Sequence, residues 1–285
     1  MDRQVEVDGC SIHFQVRGEG DPVVLIQGVG LHGEGWKPQV DALSARYQCI
    51  TFDNRGVGKS QPVPHTLTVD RMVRDTLAVM DAAGAESAHV VGHSLGGCVA
   101  LALALREPER VRSLALLCTS ARGADATRLT LPMLVLGLRT RIGSRKSRRA
   151  AFLEIVLSPA YRKSHDLALE ASRLAPLFGH DLADSPPVAM KQLGALRNFD
   201  ATHQLSQLGG KPTLVICGGH DPIFSPQSAR ALAHGIPGAK LIEYSDAAHG
   251  LTIELADEVN RELTRLFDSA AAPLDQMPHS RRPVT

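Results

Sequence analysis

Short runs rich in apolar residues recur along the chain at 22–26, 48–52, 88–91, 114–117, 213–216 and 240–244. Most lack the apolar–polar alternation of a half-exposed strand, which suits strands covered on both faces. Ahead of them, residues 5–16 read as a hairpin turning at Asp8-Gly9. Helical patterns fall between the runs, around 36–43, 69–83, 95–106, 226–234 and 256–267. Strand–helix alternation of this kind predicts an α/β fold: a mostly parallel central sheet, flanked by helices and joined by right-handed crossovers.

The alternation stops between Ser120 and Leu208. That stretch has helical composition and no convincing strand, so it is predicted to form a helical cap (120–208) inserted into a core made of 1–119 and 209–268. Within it, the apolar run 129–136 makes Met133, Leu134 and Leu136 candidates for lining a substrate pocket, with plain helix–helix packing as the alternative. Arg139, Arg141, Arg145, Lys146, Arg148 and Arg149 follow with no acid among them. Such a run reads as a solvated helix face, the alternative being attraction of an anionic substrate. Residues 269–285 carry Pro273, Pro278 and Pro283 with little apolar content and are expected to be disordered.

Ser94 lies in Gly92-His93-Ser94-Leu95-Gly96, directly after the apolar run 88–91 and directly before the helical pattern 95–106. A G-x-S-x-G segment gains its meaning from such a strand–turn–helix setting. The glycines allow a sharp turn in which a Cβ would clash. The turn lifts the hydroxyl above the sheet, where the following helix offers free N–H groups to an anion. A serine hydroxyl is nonetheless a poor nucleophile at neutral pH. It needs a base within hydrogen-bond reach, and the base needs an orienting acid. His249 and Asp221 both sit in loops leaving predicted strands, at the sheet end where open α/β folds place their sites. Asp246 is the rival acid. It stands three residues before His249 in the same loop, a position that suits a turn carboxylate.

These segments resemble the α/β-hydrolase fold family, whose nucleophile elbow is the G-x-S-x-G turn and whose triad runs in the chain order Ser94, Asp221, His249. The resemblance extends from about residue 5 to about residue 267, the cap excepted. Gly218-Gly219-His220-Asp221-Pro222 matches the family's G-x-x-D-P segment, which favours Asp221 over Asp246. Asp53-Asn54-Arg55-Gly56-Val57-Gly58-Lys59-Ser60 resembles its D-x-R-G-x-G-x-S segment. The glycine spacing there is not that of a phosphate loop, so the segment reads as a turn supporting its neighbour. That neighbour is Gln27-Gly28-Val29-Gly30, where relatives usually carry H-G-x-x. By the resemblance, the backbone N–H groups of Val29 and Leu95 form the oxyanion hole, with Gln27 a departure that leaves the bracing of the loop open. The implied activity is hydrolysis of a small-molecule carboxylic ester or lactone through an acyl-serine intermediate, without a cofactor. A carbon–carbon bond hydrolase, or a hydrolase-like ligand receptor, stays open as an alternative.

Composition adds mainly exclusions. The chain has 285 residues, 44% hydrophobic and 21% charged, enough for one large domain with an insertion. A formal net charge of +1 provides no global field to draw in nucleic acid. No apolar stretch reaches the ~18–20 residues of a bilayer span. The N-terminus is polar and lacks a signal core, so a cytoplasmic location is expected. Cys10, Cys49, Cys98, Cys118 and Cys217 are odd in number and scattered, and most lie within apolar runs, as expected of buried thiols. Neither C-x-x-C nor H-E-x-x-H is present, so no metal site is expected. Oligomeric state is left open.

Overall fold

The computed structural model describes residues 2–62, 66–127 and 131–271. Eight strands form one sheet: β1 (Asp2–Val7), β2 (Cys10–Arg17), β3 (Asp21–Ile26), β4 (Tyr47–Phe52), β5 (Ala88–His93), β6 (Val111–Leu117), β7 (Thr213–Gly218) and β8 (Lys240–Tyr244). Their order is β1-β2-β4-β3-β5-β6-β7-β8. β1 and β2 form the predicted antiparallel hairpin, with Asp8 at φ 47° and Gly9 at φ 71°. β2 is antiparallel to β4, and every later pairing is parallel. The expected α/β architecture is therefore the observed one.

Within the core, β3 is followed by α1 (Lys37–Leu43), β4 by α2 (Val69–Ala82) and β5 by α3 (Leu95–Arg106). Between β6 and β7 the chain leaves the sheet and builds α4 (Leu131–Arg139), α5 (Arg145–Val156), α6 (Pro159–Ser164), α7 (Leu167–Phe178) and α8 (Ala189–Arg197). It then adds α9 (Pro226–Gly235), the short α10 (Leu251–Glu254) and α11 (Ala256–Ala271). Among the described residues no helix is long and apolar enough to cross a membrane. The insertion starts and ends at neighbouring strands. Its two ends lie side by side: Gly123 N–H donates to the Phe199 carbonyl (2.9 Å) and Ala201 N–H to that of Ala121 (2.9 Å).

The apolar runs lack alternation because both sheet faces are covered. Val24 and Ile26 enter the cluster on one face with Met72, Val73 and Val99, whereas Val23 and Leu25 enter the other with Trp36, Leu263 and Phe267. A third cluster, including Leu153, Leu174 and Phe178, holds α5 to α7 and packs on Leu31 and Ile253 of the core. The five cysteines are all free and buried. Burial pushes the thiols of Cys49, Cys98 and Cys217 up to about 12.

One expectation needs correction. The expected disordered tail began at residue 269, but α11 runs to Ala271. The reason is local: Ser269 Oγ donates to the Leu266 carbonyl (2.7 Å) and two alanines with high helix propensity follow. The rest of that expectation lies outside the described residues. The basic cluster is exposed over most of its length, yet it is not unopposed. Arg139 pairs with Glu154 (2.9 Å), Arg145 with Asp184 (2.7 Å) and Asp181 (2.9 Å), and Arg149 with Asp181. The acids come from later in the chain, so local spacing gave no sign of them.

Candidate active site

β5 ends at His93, and Ser94 makes the turn into α3. Ser94 has φ 57° and ψ −122°, one of three non-glycine residues with positive φ among those described. A non-glycine residue held in that region stores on the order of 1–3 kcal/mol of strain, so the surroundings must enforce it. They do so by close backbone approach. A Cβ on Gly96 would lie 2.0 Å from the Ile26 carbonyl oxygen, and one on Gly92 would lie 2.2 Å from that of Gly96. The Ser94 N–H donates to the Leu117 carbonyl (2.9 Å), and the Ser94 carbonyl accepts from Gly97 N–H (2.9 Å) and Thr119 Oγ1 (2.8 Å). With its backbone tied on both sides, the side chain is left to face a cavity of about 330 Å³.

His249 lines the same cavity, from the loop after β8. Its Nδ1 is 2.8 Å from Oδ2 of Asp221, which follows β7 and is buried. The other Asp221 oxygen accepts from the N–H groups of Ile223 (2.8 Å) and Phe224 (3.0 Å). The carboxylate is thus fully engaged and fixed. Asp246 is exposed, and its carboxylate accepts from Ser245 Oγ (3.3 Å).

The loop after β3 answers the question that Gln27 raised. Gln27 is buried; its own Oε1 accepts from Gly28 N–H (3.0 Å), and Asn54 Nδ2 donates to its carbonyl (2.8 Å). Gly30 N–H donates to Oε1 of Gln192 on α8 (2.7 Å). Two glutamines thereby satisfy the N–H groups on either side of Val29. The N–H groups of Val29 and Leu95 have no acceptor among the described residues. The turn at 53–60 supports this loop, as its glycine spacing suggested: Asp53 Oδ1 accepts from Gly33 N–H (2.9 Å), and Ser60 Oγ donates to the Asp53 carbonyl (2.7 Å). Arg55, fully buried, forms an ion pair with Asp75 and donates to the Val7 carbonyl (2.9 Å).

His93 is a structural participant that sequence spacing did not single out. It is buried against Trp36, and desolvation lowers its pKa to about 3. The neutral ring donates from Nε2 to the backbone carbonyl of His249 (2.8 Å), fixing the loop that carries that residue. The insertion grips the same loop. Gly250 N–H donates to the Val156 carbonyl (2.7 Å), and Glu254 Oε1 accepts from the N–H groups of Ser158 (3.0 Å) and Ala248 (3.2 Å).

The cavity walls are mostly apolar, with Leu31, Met133, Phe152, Phe178, Leu193 and Ile223 among them. Of the three pocket candidates on the apolar run, Met133 lines the cavity. Leu134 is 48% exposed and Leu136 is buried away from it. Helical rotation carries Leu134, the next residue, off the cavity side of α4.

His93, Cys118 and His249 present donor atoms within 4.8 Å of one another. They do not suit a cation. His93 Nε2 and His249 Nδ1 are committed to the bonds above, and burial, with the neighbouring Asp221 carboxylate, pushes the Cys118 thiol well up.

Comparison with known proteins gives the same picture of the chain. A family model described as alpha/beta hydrolase fold matches residues 21–254. A relative from Variovorax paradoxus, provisionally named carbamate hydrolase RutD, is 32% identical over 278 residues, covering 92% of this chain and 98% of its own. The enol-lactonase from Burkholderia xenovorans LB400 superposes with a TM-score of 0.78 at 26% identity, over 93% of this chain and 100% of that one. A meta-cleavage product hydrolase from Pseudomonas fluorescens IP01, solved with acetates bound, gives 0.74 at 26% identity, over 94% and 98%.

Proposed function

The chain belongs to the α/β-hydrolase fold family, and on that premise we propose that it is a serine hydrolase cleaving a carboxylic ester or lactone through an acyl intermediate on Ser94. One observation carries the reading: a strained serine opens into the same cavity as a histidine whose other ring nitrogen is held by a buried carboxylate. Because Nδ1 of His249 is engaged by Asp221, Nε2 is the nitrogen left to receive the serine proton.

The steps then follow. Ser94 Oγ attacks the carbonyl carbon while its proton passes to His249. The new imidazolium is stabilised by Asp221, which keeps its negative charge. The oxyanion is met by the N–H groups of Val29 and Leu95, donors that need no reorientation at that moment. Collapse expels the alcohol, which takes the proton back from His249. Water, deprotonated by the same imidazole, releases the acid and restores Ser94. The helices between β6 and β7 serve as the cap over this site, and their apolar walls favour a substrate with a hydrocarbon portion.

A second reading is favoured by the names of the relatives: a carbamate in place of an ester, with a carbamoyl group on Ser94. The experiment is a panel of esters, lactones, thioesters and carbamates ranked by kcat/KM, the ratio that measures transition-state discrimination. The highest value is expected on an ester or lactone with an apolar acyl or alcohol group. A maximum on a carbamate would move the assignment to the second reading. A single slow acylation without turnover would favour the receptor alternative. Ser94→Ala is expected to lower kcat by about 10⁴–10⁶ and to abolish labelling by a fluorophosphonate. Full activity in that variant would remove Ser94 from the mechanism.

A further inference from the structure

α4 carries an apolar face that the protein leaves uncovered. Leu131 is 74% exposed, Leu134 48%, Val135 50% and Leu138 57%, with Ile142 at 61% in the turn beyond. Their spacing places them along one side of the helix. Met190 of α8, 59% exposed, joins the patch through Arg141, whose Nη2 lies 3.5 Å from its sulfur. Contiguous exposed aliphatic surface of this kind marks an interaction site.

The charge around the patch identifies what it meets. Residues 131–197 hold eleven Lys and Arg against five Asp and Glu. The whole chain holds 31 against 30, so the remainder has twenty against twenty-five. The insertion is a cationic pole on an acidic body. Exposed Arg139 ends the same helix, and exposed Arg141, Arg145 and Lys146 follow it closely in the chain. The ion pairs of Arg139 and Arg145 described above leave this surplus of six in place. A second copy meeting this face symmetrically would oppose two such surpluses, which argues against self-association there.

We propose that the exposed face of α4 docks on an anionic phospholipid bilayer. Leu131, Leu134, Val135, Leu138 and Ile142 would enter the boundary between headgroups and acyl chains, and the basic side chains would lie at the level of the phosphates. The face is a single convex helix, not a groove. A bilayer requires no matching shape, only apolar side chains with cations at their flanks. Because Met133 of the same helix lines the cavity, docking sets the wall of the site directly against the lipid.

The test is co-sedimentation of the full chain with vesicles of phosphatidylcholine alone, or of phosphatidylcholine containing one-third phosphatidylglycerol. Binding is expected on the second kind only, and it should weaken as salt rises. Val135→Asp with Leu138→Asp should lower the partition coefficient at least about tenfold, since both the apolar insertion and the charge balance are lost. Arg141→Ser with Lys146→Ser should lower it by about fivefold per residue. Circular dichroism and the melting temperature check folding, and Val135→Ser with Leu138→Ser replaces the aspartates if that pair unfolds. Several results would overturn the proposal. They are absence of binding at low salt, equal binding to both vesicles, and retention of binding by the aliphatic variants. Concentration-dependent dimerisation lost in Val135→Ser/Leu138→Ser, without vesicle binding, would assign the patch to a second copy. Equal capture by poly-glutamate beads, insensitive to those substitutions, would reduce it to a nonspecific basic surface.

Discussion

At the scale of single residues, the geometry of the candidate site depends on side chains outside the Ser94, His249 and Asp221 group. Gln27 and Gln192 each accept one N–H in the loop after β3 and so leave that of Val29 between them. Gln192→Met keeps the length and removes the acceptor. It is expected to lower kcat about tenfold while KM shifts less than about twofold, because the loop matters most when the oxyanion forms. Steady-state kinetics on the best substrate of the panel check this; an equal rise in KM would mean the residue shapes binding instead. Asp221→Asn is expected to cost about 10³–10⁴ in kcat by favouring the wrong imidazole tautomer, and Asp246→Asn far less. The reverse ranking in folded variants would exchange the two. The convergence of Ser94, His249 and Asp221 was legible in the sequence because each sits at a strand end marked by glycine or proline within a few residues. Gln192 was not legible. It meets Gly30 across 162 residues of chain, and no local pattern records such a contact. His93 was visible only as the variable position of the elbow, and its bond to the His249 carbonyl depends on how two strand ends converge.

At the scale of elements, legibility follows periodicity. α11 was readable as a helix because Val259, Leu263 and Phe267 form one buried side against polar residues on the others. The central strands were readable because apolar side chains facing both ways leave few other options. α4 was harder. Its sequence, LPMLVLGLR, is apolar almost all round, so nothing in it distinguished the cavity-facing Met133 from the exposed Leu134. The buried pair Arg55–Asp75 shows how one element holds another: it ties the turn after β4 to α2, and Arg55 also reaches the Val7 carbonyl. Asp75→Ala is expected to destabilise the protein by about 3–5 kcal/mol, since it leaves a buried guanidinium without its partner. Urea denaturation measures this. A loss under about 1 kcal/mol would mean that water reaches Arg55 and solvates it.

At the scale of the whole molecule, two buried histidines link stability to pH. Desolvation lowers His89 to about 4 and His93 to about 3. The unfolded chain takes up protons near pH 6.5 that the folded chain refuses, so the contribution is complete above that pH and is lost as pH falls toward 4 and 3. Together they give a limiting slope of about 2.7 kcal/mol per pH unit. Buried Glu254, whose pKa desolvation raises, acts in the opposite sense. His89→Gln, with its new amide facing Ser113, isolates one histidine and should halve the slope measured by denaturant titration between pH 6.5 and 4.5; an unchanged slope would show that carboxylates dominate. The meeting of residues 121–123 with 199–201 has a consequence on a longer timescale. The chain departs from and returns to the core through one doorway, so the core closes whatever length of chain lies beyond it. Doubling that length adds only about 0.6 kcal/mol of closure entropy. If the insertion is the roof that we propose, it is an exchangeable part, and selection can rewrite which compounds are admitted while the core beneath stays as it is.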